Sequence, residues 1–157
     1  MLISGVAKDD NIARISIIGV PDKPGLAFRI FSKLSQKNIN VDIILQSIGR
    51  NGTKDISFAV EKDKMDSAIE ILESYVETLG ASSVVSDDNV AKVSIVGSGM
   101  ESHPGVASDM FEALFDANVN IQMISTSEIK ISVLIEKQDA NKAVAAIHAK
   151  FFEQVQQ

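Results

Sequence analysis

The sequence predicts an α+β protein built from two copies of one small antiparallel unit, and three observations carry that prediction. The first is an internal repeat. "ARISIIG", starting at Ala13, returns as "AKVSIVG", starting at Ala91. "KPGLAFRIFSKLSQKNINVDII", from Lys23, returns as "HPGVASDMFEALFDANVNIQMI", from His103, and "DISFAVEKDKMDSAIEIL", from Asp55, as "KISVLIEKQDANKAVAAI", from Lys130. The second is periodicity, which switches within each copy between β-branched runs and apolar residues spaced for a helix. The third is where the copies differ: the second bend is two residues longer and the second hairpin five shorter, so loops vary while the apolar pattern persists.

Each element of the first copy follows from its residues. Ile15, Ile17 and Ile18 form a strand closed by Gly19. Pro24 suits the first turn of a helix, along which Leu26, Ile30, Phe31 and Leu34 recur until about Asn38. "NVDIILQSI" and "DISFAVE" are strands joined across "GRNGT", in which Asn51-Gly52 is a strong hairpin-turn signal. Asp66 to Leu79 is a second helix with Ala68, Ile69, Leu72, Tyr75, Val76 and Leu79 on its inner face. "SSVVS" completes β-α-β-β-α-β, a ferredoxin-like order that places helices on one face of an antiparallel sheet.

The second copy is one strand short. After a last helix of roughly Ala140 to Phe152 only "EQVQQ" remains, while the strand "LISGV", residues 2 to 6, is unassigned at the other end of the chain. The expectation is that this opening strand completes the second domain. The first domain then spans 8–88, and residues 1–7 join 89–157 in the second.

Composition excludes several classes. With 157 residues there is room for one ordinary domain or two small ones, and 45% apolar with 23% charged residues is a globular balance. A net charge of −6 leaves no basic stripe for nucleic acid. There is no cysteine, hence no disulfide, thiolate metal site or cysteine nucleophile. No apolar run is long enough to span a bilayer, and "MLISGVAKDD" lacks the features of a secretory signal, so a cytoplasmic protein without a membrane partner is expected.

Catalytic constellations are missing as well. His103 and His148 lack metal-ligand spacing, and "GSGMES" has Ser102 where a dinucleotide fingerprint needs its third glycine. Asp63, Asp66, Glu70, Glu73 and Glu77 line a helix exterior and read as a solvated face. No catalytic residue, cofactor or metal is expected. What stands out is the bend after Gly19. A helix that starts there exposes unsatisfied N–H groups at Gly25, Leu26 and Ala27, an anion-binding corner, with Asp22 beside it to receive an ammonium group. A free α-amino acid fits that pair. The competing reading is that Asp22 caps its own helix.

These strings resemble the tandem ACT domains of amino-acid biosynthesis. "DKPGLA", "NINVDIILQ", "VGSGMESHPGVA" and "NVNIQMISTSEIKISVLI" resemble more particularly the regulatory region, or separate β subunit, of aspartate kinases. The likeness runs from about Ser4 to Phe152, and the family's catalytic kinase domain is not within it. The resemblance implies a non-catalytic regulatory chain that binds threonine, lysine or both, acts on a catalytic kinase domain or α subunit by feedback inhibition, and forms a homodimer. It implies an effector pocket of Asp22, Pro24, Gly25, Leu26, Ala27, Asn40, Val41 and Gln46 from one chain, with Asn120 and Ile121 from its partner. An ACT-type sensor or dimerisation module of another biosynthetic enzyme is the alternative.

Overall fold

Ten elements in the order β-α-β-β-α-β-α-β-β-α follow one another through the computed structural model, which describes residues 3–153. They are β1 (Ile3–Pro21), α1 (Leu26–Gln36), β2 (Asp42–Gln46), β3 (Thr53–Glu61), α2 (Met65–Leu79), β4 (Ser83–Gly97), α3 (Gly105–Asp116), β5 (Met123–Thr126), β6 (Lys130–Glu136) and α4 (Ala140–His148). The chain divides into two compact units, Asn11–Asp88 and Met1–Asp10 with Asn89–Gln157.

In the unit Asn11–Asp88 the strand neighbours run β2-β3-β1-β4, with β1–β3 and β2–β3 antiparallel. The inward residues of β1 and β3, Ile15, Ile17, Ile56 and Phe58, meet Leu26, Ile30 and Leu34 of α1 and Ala68 and Leu72 of α2. All the helices of this unit thus cover one sheet face. Asn51 at φ 55 and Gly52 at φ 78 make the β2–β3 connection, where Arg50 and Thr53 exchange backbone hydrogen bonds. Positive φ at both central residues is what a tight hairpin turn needs, and asparagine and glycine tolerate it best.

In the other unit the order is β1-β4-β6-β5, with β4–β6 and β5–β6 antiparallel. Ile3, Val93, Ile95, Val133 and Ile135 pack against Met110 and Leu114 of α3 and Ala143 and Ile147 of α4. The opening strand therefore completes this unit: Ile3 is 3% exposed within its core, and the Ser4 hydroxyl donates to the Val96 carbonyl. Leu2, also assigned to that strand from the sequence, lies outside the described residues.

Several expected boundaries are corrected. "ISGV" and "ARISIIG" are parts of one 19-residue strand, and "SVVS" and "AKVSIVG" parts of one 15-residue strand. The intervening "AKDDNI" and "DDNV" hold no glycine or proline, so polarity alone does not interrupt hydrogen bonding. α1 starts at Leu26, not at Pro24. α4 ends at His148, and Ala149–Glu153 continue as a π-helical turn that buries Phe151.

β2 is shorter than "NVDIILQSI" and is bulged. Asp42 pairs with Ala59 but Leu45 with Ser57, which leaves one extra residue on β2. Ile43 accommodates it at φ 48, its N–H donating to Asp42 Oδ1 at 2.8 Å. The matching part of the second copy is regular, with Met123, Ile124, Ser125 and Thr126 opposite Leu134, Val133, Ser132 and Ile131.

Candidate functional site

The corner of the first copy is built around the exit from β1. Gly19 takes φ 71, its N–H donates to Asp55 Oδ1 at 3.0 Å, and a Cβ there would collide with Ser82. Asp55 is tied in turn to Ser47, whose hydroxyl accepts the Asp55 N–H at 2.9 Å. Sequence reasoning passed over Asp55 and Ser47. Their role in holding the exit depends on the β2–β3 pairing that brings them there.

Asp22 follows, exposed, its N–H bonded to the Gly52 carbonyl at 2.8 Å. Its Oδ1 lies 3.2 Å from Lys54 Nζ. A Cβ added to Gly49 would run into the same carboxylate, so the loop after β2 touches Asp22. Asp22 does not cap the helix: the N-cap of α1 is Gly25, at φ 90, and no side chain bonds the helix start. The first helical bond runs from the Arg29 N–H to the Gly25 carbonyl. The donors without an intrahelical partner are consequently those of Gly25, Leu26, Ala27 and Phe28, the three expected from the sequence and one more.

The remaining expected residues separate by burial. Pro24 is exposed in the turn before the helix. Leu26 is buried in the first core, and Ala27 and Val41 are half-buried against it. Asn40 and Gln46 are exposed, Gln46 as the last residue of β2 opposite Ile56. Asp22, Pro24, Gly25, Leu26 and Ala27 thus form one corner, with Asn40, Val41 and Gln46 on the segment leading into and along β2. In the other unit Asn120 is exposed and Ile121 is half-buried on that unit's core.

The corresponding corner of the second copy is built differently. Gly99, at φ 64, starts a 3-10 turn over Met100–Ser102, and His103 Nδ1 lies 3.0 Å from the Gly99 carbonyl. A cavity of about 400 Å³ opens here, lined by Met100, His103, Ala107, Thr126, Glu128 and Ile131. Among the described residues no group of His, Asp or Glu is placed to hold a metal ion, and no helix is long and apolar enough to cross a membrane.

Comparison with known proteins decides the family. The ACT domain family matches the chain twice, at residues 15–75 and 93–151. A solved aspartokinase with alpha and beta subunits superposes at a TM-score of 0.88 with 47% identity, over 95% of this chain and 98% of that one. The chain belongs to the regulatory tandem-ACT family of aspartate kinases. Another family member, the ligand-free regulatory subunit of aspartate kinase from Thermus thermophilus, superposes at 0.92 with 39% identity, over 96% of this chain and 99% of that subunit. The aspartate kinase of Pseudomonas fluorescens is 50% identical over 96% of the chain. The chain spans 36% of the length of that relative, its regulatory region.

Proposed function

We propose that the chain is the non-catalytic, effector-binding part of an aspartate kinase, and that threonine, lysine or both bind at the corner of the first copy to inhibit a catalytic domain or α subunit. The observation that carries the reading is the uncapped start of α1 beside Asp22. The ligand carboxylate accepts from the N–H groups of Leu26, Ala27 and Phe28, helped by the positive end of the helix dipole. Its ammonium group takes the place of Lys54 at the Asp22 carboxylate. Gly25 leaves the approach open, because no atom lies near where its Cβ would stand.

A second copy closes the pocket in this reading, presenting the backbone of Asn120 and Ile121. Exposed apolar residues support a covered face in each unit: Phe28 and Ile48, 75% and 90% exposed, near the corner, and Phe115 and Ile129 in the other unit, 81% and 59% exposed. A ligand that contacts the dimer more than the monomer favours the dimer by linkage.

A thermal-shift screen against the twenty amino acids, followed by calorimetric titration, tests the reading, since a ligand specific for the native state must raise its stability. Selective stabilisation by threonine or lysine is expected. A chain that responds to neither refutes it.

A further inference from the structure

One opening in the first unit lies away from the corner, where the end of α1 meets α2. A cavity of about 450 Å³ is lined by Lys37, Ile39, Lys64, Glu70, Ile71 and Ser74. A second, of about 350 Å³, shares Lys37, Ile71 and Ser74 and continues to Lys33 and Tyr75. Together they make one groove in which Ile39, Ile71 and Tyr75 stand among polar residues, with three lysines against one carboxylate, on a chain whose net charge is −6. Lys33 is drawn over it, its Nζ 4.9 Å from the centre of the Tyr75 ring.

The internal repeat supplies a control. The same groove exists in the other unit, lined by Ala113, Asp116, Ala117, Ala146, Ala149 and Lys150. By alignment of the copies, Ala113 and Ala117 stand for Lys33 and Lys37, and Asp139 for Lys64. Its one cation, Lys150, is hydrogen-bonded to Glu112, which holds its pKa above the ordinary value. The fold needs the groove in neither charge state, so the lysines of the first copy are not a requirement of packing. A favourable interaction with the α1 dipole accounts for Lys33 and Lys37, near a helix C-terminus. It does not account for Lys64, the N-cap of α2, where a cation is disfavoured and the other copy has Asp139 as the N-cap of α4. Among the described residues neither Lys37 nor Lys64 has an ion pair.

We propose that the α1–α2 groove of the first unit is a docking site for an acidic, amphipathic segment of a protein partner, its apolar side chains on Ile39, Ile71 and Tyr75 and its carboxylates on Lys33, Lys37 and Lys64. The lining favours a polypeptide over a small anion, since it combines the three lysines with the apolar side chains of Ile39, Ile71 and Tyr75. The proposal is independent of the effector site.

The test uses the full chain, isotopically labelled for NMR, and a synthetic peptide of alternating leucine and glutamate. Saturable shifts are expected at Lys33, Lys37, Lys64, Ile71 and Tyr75, weakening with salt. Transplanting the other copy's residues, as Lys33→Ala, Lys37→Ala and Lys64→Asp together, is expected to weaken binding roughly tenfold or more through three lost ion pairs. The reverse graft, Ala117→Lys with Asp139→Lys, is expected to create peptide shifts between α3 and α4. The proposal is overturned if the peptide gives no saturable shifts, or if the triple variant binds as well as the original. It is equally overturned if inorganic pyrophosphate, but not the peptide, saturates these residues, or if they shift with protein concentration alone, which would assign the groove to a second copy.

Discussion

Lys54 Nζ stands 3.2 Å from Asp22 Oδ1, so the carboxylate proposed to receive an amino-acid ligand already holds an ammonium group of the protein's own. In the proposed site Lys54 stands where the ligand ammonium would bind. Asp22 is nearly half exposed at its side chain but Lys54 only 12%, so the pair is buried on the lysine side. In the proposed binding mode an incoming ammonium, oriented by its own carboxylate on α1, competes with Lys54 for Asp22.

Asp22→Ala is expected to weaken threonine or lysine binding by about tenfold or more, the loss of a charge-assisted hydrogen bond of roughly 1.5–3 kcal/mol. Stability should change little, because Asp22 caps nothing. Calorimetric titration beside urea denaturation separates the two. A variant that loses stability and keeps its affinity contradicts the site.

Lys54→Met removes the competitor. Affinity for the amino acid is expected to rise, by at most about fivefold if the displaced pair is worth up to 1 kcal/mol. Weaker binding would mean that Lys54 contacts the ligand itself.

Gly25→Ala tests the backbone alone, for a methyl group there meets no neighbour. With φ at 90 the substitution should cost about 1–2 kcal/mol of stability. The denaturation midpoint reports it, and a neutral result would mean that the turn rearranges.

The buried serines Ser94 and Ser132 are each 3% exposed and share one hydroxyl hydrogen bond of 2.7 Å. Ser94→Ala strands the Ser132 hydroxyl and should cost about 1–3 kcal/mol, whereas the double alanine variant should recover part of it. A double-mutant cycle showing simple additivity would argue against the bond.

Removing residues 1–7 takes Ile3 out of the core that it shares with Val93 and Ile95 and exposes a sheet edge. Hydrogen exchange should accelerate in strands 93–96 and 131–135 and stay slow in strand 55–61. Unchanged protection in the first two would rule out completion of that unit by the opening strand.

Much of the molecule was determined by local sequence. Alternation in "ARISIIG", helical spacing from Leu26 to Leu34 and the Asn51-Gly52 turn each bias a short segment wherever it lies, and repetition doubles the signal. The missing final strand of the second copy even pointed to its replacement. Tertiary structure decided what depends on partners distant in sequence. The Ile43 bulge places a β-branched residue at φ 48, against its own preference, because Asp42 and the β3 register hold it there. The fused strands β1 and β4 follow from neighbours that keep hydrogen bonding through polar residues. Lys54 meets Asp22, and Lys64 joins Lys33 and Lys37 on one groove, only because strands pair and helices pack. No periodicity within a segment encodes which charge will face it across the fold.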